Sequence, residues 1–219
     1  MVDLQITLKE VAVYKALRDN VIDAKAPIYP GCGPDVSPSE VFDNVTYVDP
    51  DEESIDALLE SDHNAFPTGI EDYVRKDHDL LIIRSPNCSA LDMLKTLKSG
   101  GYIISNNWLG HAGELNKLKD EVELIGVINT ARDNTAHYST DLKNLFEEVE
   151  NIEEFARLRP NAFKHLLGEI DMIALNGPFN FDIKTDELTD EKYEEYKQFM
   201  HINKNPCKRI ADKYIFRKK

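Results

Sequence analysis

The chain has 219 residues, of which 42% are hydrophobic and 30% charged, and its formal net charge is -14 at pH 7. This composition is that of a soluble globular protein, and the length predicts one domain with an elaboration rather than two equal halves. The negative charge argues against a broad nucleic-acid-binding face and against adsorption to an anionic membrane surface, since both need cationic side chains.

The cysteines and the N-terminus narrow the class of protein further. Cys32, Cys88 and Cys207 show no metal-ligand spacing. We therefore expect neither a disulfide framework nor a metal site. We expect the protein to be located in the reducing cytoplasm. No secretory signal is visible, and no apolar run approaches the roughly 20 residues of a membrane-spanning helix, so we expect no membrane partner.

Strand-like and helix-like stretches alternate over the first 130 residues. The predicted strands are 26–29, 45–49, 64–66, 79–84, 102–105 and 122–128. The predicted helices are 8–21, 51–59, 89–98 and 111–119. Residues 70–74 are predicted as a single helical turn, and the Gly100-Gly101 pair as the end of the third helix. This βαβα rhythm predicts an α/β protein with a mostly parallel sheet covered by helices.

Several polar or glycine residues follow directly after the predicted strands: Gly31, Asp49, Ser85 and Asn106. Right-handed crossovers bring the carboxyl ends of parallel strands to one edge, where ligands bind. We therefore expect these four residues to converge on one crevice.

The stretch 27–51 holds the most informative of these loops. Gly31 and Gly33 follow the first strand, and the acidic Asp49 ends the second. Glycines let a ligand approach the backbone, and a carboxylate at this position can accept hydrogen bonds from ribose hydroxyls, so the pattern indicates a nucleoside site. A structural turn at the glycines, and a helix-capping role for Asp49, are the simpler alternatives.

Three segments resemble the core of the class I S-adenosylmethionine-dependent methyltransferases. YPGCGPD resembles the glycine-rich first motif of that family, VTYVDPD the acidic second motif, and LKSGGYIIS the segment leading into strand five. The resemblance covers residues 26–110. It implies a Rossmann-like, mostly parallel seven-stranded sheet with an antiparallel last strand at 210–216. It also implies a single domain over 1–219, with a core at 22–129 and 206–219 and a largely helical insertion at 130–205, before the last strand. Within that insertion the residues predict helices at 139–158, 161–167 and 189–201, and a strand or a buried helix turn at 170–175.

The resemblance also implies which residues hold the cofactor, S-adenosylmethionine. The loop residues Pro30, Gly31, Cys32 and Gly33 would lie under its methionine and ribose portions. Asp49 would accept both ribose hydroxyls, and Pro50 would pack on the adenine.

Four further positions follow from the same resemblance. Asp72 and Tyr73 would read the adenine amino edge, and Arg84 and Ser85 would face the reactive methyl group. The family usually has an acid where this chain has Tyr29, and often a third glycine where it has Asp35. Asp35 is therefore expected to replace part of the missing negative charge.

The implied activity is methyl transfer to a small-molecule or protein acceptor, with no catalytic residue assigned. His111 is the one histidine near the expected crevice, and an exposed or helix-start role is favoured over a general base. Two alternatives stay open: a non-catalytic binding subunit with this fold, and a nicotinamide-dependent oxidoreductase. The second requires a helix directly after the glycine loop, which Pro34 and Pro38 disfavour.

Overall fold

The computed structural model describes residues 2–84, 86, 88–107, 110–147, 154, 157 and 209–219. The chain divides into two compact units. The first comprises Met1–Leu142 with Ala211–Lys219, and the second comprises Lys143–Ile210. Every helix and strand named below belongs to the first unit.

The described residues contain four α-helices and eight strands. The helices are α1 (Leu8–Asn20), α2 (Glu52–Glu60), α3 (Ala90–Leu94) and α4 (His111–Lys117). The strands are β1 (Pro27–Pro30), β2 (Thr46–Asp49), β3 (Asn64–Pro67), β4 (His78–Ile83), β5 (Leu97–Ser105), β6 (Val122–Thr130), β7 (Ala136–Ser139) and β8 (Lys213–Lys218). Among these described residues, no helix is long and apolar enough to cross a membrane.

All eight strands form one mixed sheet in the order β3-β2-β1-β4-β5-β8-β6-β7. The β3-β2, β2-β1, β1-β4 and β4-β5 pairs are parallel, whereas β8 runs antiparallel to both β5 and β6. Every residue of β1, β2 and β4 is buried, as expected for strands covered on both faces. The predicted α/β fold is confirmed, including the antiparallel closing strand beside β6.

Two details of the predicted sheet are wrong. The sheet has eight strands rather than seven, because β7 pairs with β6 as an antiparallel hairpin. The predicted helix 89–98 ends at Leu94, and Leu97 already belongs to β5. Gly100 and Gly101 therefore lie inside a strand and do not end a helix. The prediction was wrong because leucines at helical spacing were assigned to one helix. Leu97 is buried as the first residue of a strand, which the spacing alone does not distinguish from a helix.

The range 130–205 is described only in part. β7 lies inside the range predicted as a helical insertion, and residues 140–147 contain turns where a helix was predicted from 139. The remaining predicted elements, 161–167, 170–175 and 189–201, lie outside the described residues. The insertion itself stays a prediction.

Helix α1 covers one face of the sheet. Parallel strands need a crossover connection, usually a helix, but β1 and β2 are joined only by the 3₁₀ turn Ser37–Glu40. α1 packs against this turn and against β6 and β7. Its buried Val13, Tyr14 and Leu17 join a core cluster that includes Tyr29 and Ile215. The N-terminal helix thus supplies the cover that a β1–β2 crossover helix would otherwise give.

A buried ion pair links α1 to β8. Nζ of Lys213 donates to Oε1 of Glu10 at 3.0 Å and lies 2.8 Å from Oε2, which has no hydrogen bond. Glu10 is 7% and Lys213 6% exposed. Removing one partner from a buried pair leaves the other charge without compensation in a poorly solvating interior.

This pair gives a stability prediction. We expect Lys213→Met to lower the free energy of unfolding by about 3–5 kcal/mol, because Glu10 stays buried without its cation. The double variant Glu10→Leu with Lys213→Met should recover most of that loss. Urea unfolding followed by circular dichroism measures both. Equal losses in the single and double variants would contradict this account of the pair.

Candidate functional site

The carboxyl ends of β1, β2 and β4 bring the predicted glycine loop, Asp49 and Arg84 to one edge of the sheet. Strand β1 is paired on one side with β2 and on the other with β4. The loop after β1 therefore lies between the tips of its two neighbours. Of the four residues expected to converge, Gly31 and Asp49 lie at this edge, and the backbone N–H of Asn106 donates to the carbonyl oxygen of Ile83, at the end of β4, at 3.2 Å.

Asp49 fixes the glycine loop to the tip of β2. Its Oδ2 accepts a hydrogen bond from the backbone N–H of Gly33 at 2.8 Å, and its Oδ1 accepts one from Asp51 N–H at 2.9 Å. The side chain is buried, with 8% exposure. Asp49, the last residue of β2, thus holds the glycine loop in place and is also the predicted ribose acceptor.

Both glycines of the loop have left-handed backbone conformations, with φ of 61° at Gly31 and 52° at Gly33. Their surroundings differ. A Cβ at Gly31 would lie 2.8 Å from Cα and Cβ of Pro86, in the loop after β4, whereas a Cβ at Gly33 would meet no atom within 4 Å. Gly31 is needed for the close approach of two loops, and Gly33 faces open space.

Cys32 fills the space between these glycines. It is 5% exposed, and burial followed by the charge of Asp49 raises the pKa of its thiol well above the ordinary value. The thiol therefore stays protonated and unreactive at neutral pH. Pro30 is buried at the end of β1, and Pro50 is exposed directly after Asp49.

Asp35 is committed to an internal network. Its Oδ2 accepts a hydrogen bond from the hydroxyl of Tyr29 at 3.1 Å and lies 2.5 Å from Nη1 of Arg84. Its Oδ1 accepts hydrogen bonds from N–H and Oγ–H of Ser37 at 3.0 and 2.5 Å. The carboxylate that was expected to replace part of a missing negative charge is thus paired with Arg84.

Tyr73 reaches a different part of the sheet. Its hydroxyl lies 3.1 Å from Nε2 of His78, the first residue of β4, and its ring packs edge-on against Phe66 at 5.4 Å. The phenol therefore points to the amino end of β4, opposite to the glycine loop. Asp72 is exposed on the same turn. The structure does not bring the hydroxyl of Tyr73 to the crevice.

Residues 70–73 make a turn rather than a helix, which lets the chain return from the carboxyl end of β3 to the amino end of β4. That return explains the position of Tyr73, which the sequence pattern did not predict. Ser85, the other residue predicted near the methyl group, lies outside the described residues.

His111 begins α4 and is buried, with 4% exposure. Its Nε2 lies 2.9 Å from the carbonyl oxygen of Cys88, and its Nδ1 has no hydrogen-bond partner. His111 thus begins a helix, one of the two roles expected of it, and it is buried rather than exposed. Asn107, also after β5, uses its side-chain oxygen to accept from Gly113 N–H at 2.9 Å and so positions the same helix.

A surface hollow of about 390 Å³ lies at the opposite edge of the sheet, where α4 ends, β6 begins and β8 ends. It is lined by Leu115, Asn116, Lys119, Val122, Glu123, Leu124, Phe216 and Lys219. None of these is a predicted site residue, and the hollow is shallow and open. We therefore place the candidate site at the carboxyl edge, where the glycines and Asp49 meet.

The loop geometry disfavours a dinucleotide site. Such sites place a helix N-terminus directly after the glycine loop to receive the pyrophosphate. Here the loop leads through Asp35 to the 3₁₀ turn, and no α-helix lies between β1 and β2, a range the structure describes throughout.

No protein-family model and no curated protein matches the chain. Among solved structures, it is similar to the N-methyltransferase NodS from Bradyrhizobium japonicum in complex with S-adenosyl-L-homocysteine. That match has 13% identity and a TM-score of 0.44, and covers 61% of this chain and 85% of that one.

Two other solved structures are similar to a comparable extent. A SAM-dependent methyltransferase from Thermotoga maritima, described as a possible histamine N-methyltransferase, has 15% identity and a TM-score of 0.43, covering 60% of this chain and 84% of that one. A 16S rRNA methyltransferase from T. thermophilus, in complex with AdoMet and guanosine, has 15% identity and a TM-score of 0.41. That match covers 57% of this chain and 37% of that one. Likeness this low carries no activity over to this chain; the fold assignment rests on its own strand order.

The two glycines give a matched test of the loop. We expect Gly33→Ala to cost about 1–2 kcal/mol of stability, because alanine disfavours the left-handed conformation. Gly31→Ala should cost a further 1–3 kcal/mol or so, because its Cβ would collide with Pro86. Chemical unfolding of both variants measures the difference. Equal losses would show that the two loops do not approach as closely as described.

The buried His78 gives a pH prediction. Burial lowers its pKa from 6.5, and the hydrogen bond with the Ala26 carbonyl offsets this only in part. The unfolded chain therefore binds this proton more readily than the folded chain does. The contribution of neutral His78 to the free energy of unfolding is fully present above pH 6.5 and is lost as the pH falls below that value.

We expect the urea midpoint of the wild type to fall between pH 7.5 and 5 more steeply than that of His78→Gln. The control His137→Gln, which alters an exposed histidine of β7, should keep the wild-type slope. A His78→Gln slope equal to the wild-type slope would rule out this contribution.

Proposed function

We propose that the chain binds S-adenosylmethionine at the carboxyl edge of its sheet and transfers the methyl group to a small-molecule or protein acceptor. The observation that carries this proposal is the carboxylate of Asp49, held at the tip of β2 against the backbone of Gly33. The sequence resemblance to class I methyltransferases predicts this pairing of an acid with a glycine loop.

The residues present fit the nucleoside part of the cofactor. A carboxylate oxygen can accept two hydrogen bonds, and each oxygen of Asp49 accepts one backbone N–H in the described contacts. The remaining lone pairs suit two adjacent ribose hydroxyls, a charge-assisted bidentate contact. The open space beside Gly33 allows a ligand to approach the backbone there.

In this proposal the cofactor supplies an electrophilic methyl group on a sulfonium sulfur. The chain supplies position: Asp49 orients the ribose, the backbone of 31–33 supports the arm beyond it, and Pro50 covers the adenine. Alignment of two bound reactants can lower a barrier by about 7–11 kcal/mol. We expect Arg84 and Ser85 to lie near the methyl group.

The acceptor is proposed to be a small molecule or a protein rather than a nucleic acid. The net charge of -14 opposes a phosphate-rich partner. Methyl transfer to a panel of small amines, thiols and peptides, compared with transfer to RNA, tests this choice of acceptor.

Isothermal titration tests the proposed cofactor site. We expect S-adenosylhomocysteine to bind the wild type and Asp49→Asn to weaken binding by about tenfold or more, since one charged acceptor is lost. The control Asp56→Asn removes an exposed carboxylate from α2 and should bind as the wild type does. Absence of heat with both S-adenosylhomocysteine and S-adenosylmethionine, for folded protein, would refute the proposed function.

A further inference from the structure

Helix α4 holds the loop after β4 at two points. Nε2 of His111 donates to the carbonyl oxygen of Cys88 at 2.9 Å, since a carbonyl oxygen can only accept. Three residues further along α4, Oε2 of Glu114 accepts a hydrogen bond from the backbone N–H of Ala90 at 3.0 Å. Residues three apart share one face of a helix, so a single face of α4 binds residues 88–90.

The contact with Glu114 fixes the point at which this loop enters α3. Ala90 is the first residue of α3, and the first N–H groups of a helix have no acceptor within their own helix. Ser89, just before it, accepts from the N–H of Asp92 at 3.2 Å and so serves a different donor. The N–H of Ala90 is therefore satisfied from α4, by a charge-assisted hydrogen bond to a carboxylate.

The same loop meets the glycine loop four residues earlier. A Cβ at Gly31 would lie 2.8 Å from Cα and Cβ of Pro86, so no side chain fits between the two loops. A residue without a Cβ has unusual conformational freedom, and its neighbours must restrict it. The N–H of Gly31 donates to the carbonyl oxygen of Val48 in β2 at 2.8 Å, and Pro86 packs against Gly31 from the loop after β4.

A continuous set of contacts thus joins α4 to the glycine loop: Glu114 to Ala90, the chain from Ala90 back to Pro86, and Pro86 to Gly31. We propose that Glu114 is a positioning residue for the proposed cofactor. By holding the loop after β4 against Gly31, it keeps the glycine loop in the conformation that receives the ligand. This inference rests on the proposed function, because it takes the glycine loop as the support of the cofactor. Glu114 acts through the loop and not by touching the ligand.

A double-variant cycle on stability tests the connection between Glu114 and Gly31. Gly31→Ala pushes a Cβ against Pro86, and this collision is severe only while the loop after β4 is held in place. We therefore expect the fold-change that Gly31→Ala causes in the unfolding equilibrium constant to be smaller by about threefold or more in a Glu114→Ala background, because coupled positions are not additive. Urea unfolding of the wild type, the two single variants and the double variant measures this difference.

Three further variants isolate the contact. Gly33→Ala places its Cβ in open space, so its effect on unfolding should be the same with and without Glu114. Glu114→Gln keeps an acceptor oxygen for Ala90 and should keep the full effect of Gly31→Ala. If Glu114→Ala does not fold, Ala90→Pro removes the same hydrogen bond from the donor side, and proline is tolerated at the first position of a helix. The effect of Gly31→Ala should shrink in that background too.

Titration with S-adenosylhomocysteine tests the positioning role itself. We expect Glu114→Ala to weaken binding by about threefold or more, because the glycine loop then holds the binding conformation for a smaller fraction of the time. Glu114→Gln should bind within about twofold of the wild type, since it restores the acceptor. The control Glu60→Ala removes an exposed carboxylate from the end of α2 and should bind as the wild type does.

The outcomes separate the two proposals. Absence of binding to the folded wild type refutes the proposed function, and with it the positioning of the cofactor, whereas the cycle still decides whether α4 holds the glycine loop. An effect of Gly31→Ala that is equal in the wild-type and Glu114→Ala backgrounds refutes the coupling, as does an equal reduction for Gly33→Ala. A reduced effect of Gly31→Ala together with wild-type affinity in Glu114→Ala refutes the positioning role alone.

Discussion

The candidate site depends on a single carboxylate. Asp49 accepts backbone N–H groups from Gly33 and Asp51, and so joins the loop after β1 to the tip of β2. A buried carboxylate is stable only when such donors compensate for its lost hydration. The same donors fix its position without using all of its lone pairs. Structural support and ligand recognition are therefore compatible at this residue.

The second constraint is the absence of a helix between β1 and β2, a fully described range. Pro34 and Pro38 keep this connection short and non-helical. The face of the sheet that a crossover helix would cover is packed against α1. Backbone hydrogen bonds between Gln5 and the 34–36 segment, at 2.9 Å, tie the N-terminus to the glycine loop. The loop and the N-terminal helix are thus joined, and they contain the buried Asp35 and Glu10, the second of which pairs with Lys213 of β8.

The pattern of local sequence predicted the fold well. Continuous apolar runs, glycines and prolines mark β1, β2, β4 and their connections, because these features act within a few residues of the chain. α3 and the start of β5 were misassigned because leucines at positions 91, 94 and 97 fit both periodicities. β7 was missed because half-buried edge strands carry little apolar signal.

The site was predictable only where it depends on neighbouring residues. Asp49 and the glycines were found because their spacing along the chain is short. The Arg84–Asp35 pair joins residues far apart in the sequence, and no local pattern indicates it. Glu10 did carry a signal: it lies at helical spacing with the buried Tyr14 and Leu17, where an acid requires a buried partner.

The most direct test of this account is a crystal structure of the chain with S-adenosylhomocysteine at saturating concentration. We expect both ribose hydroxyls to lie within hydrogen-bonding distance of the Asp49 carboxylate, beside the glycine loop. A nucleoside bound at another edge of the sheet, or with its ribose away from Asp49, would contradict it.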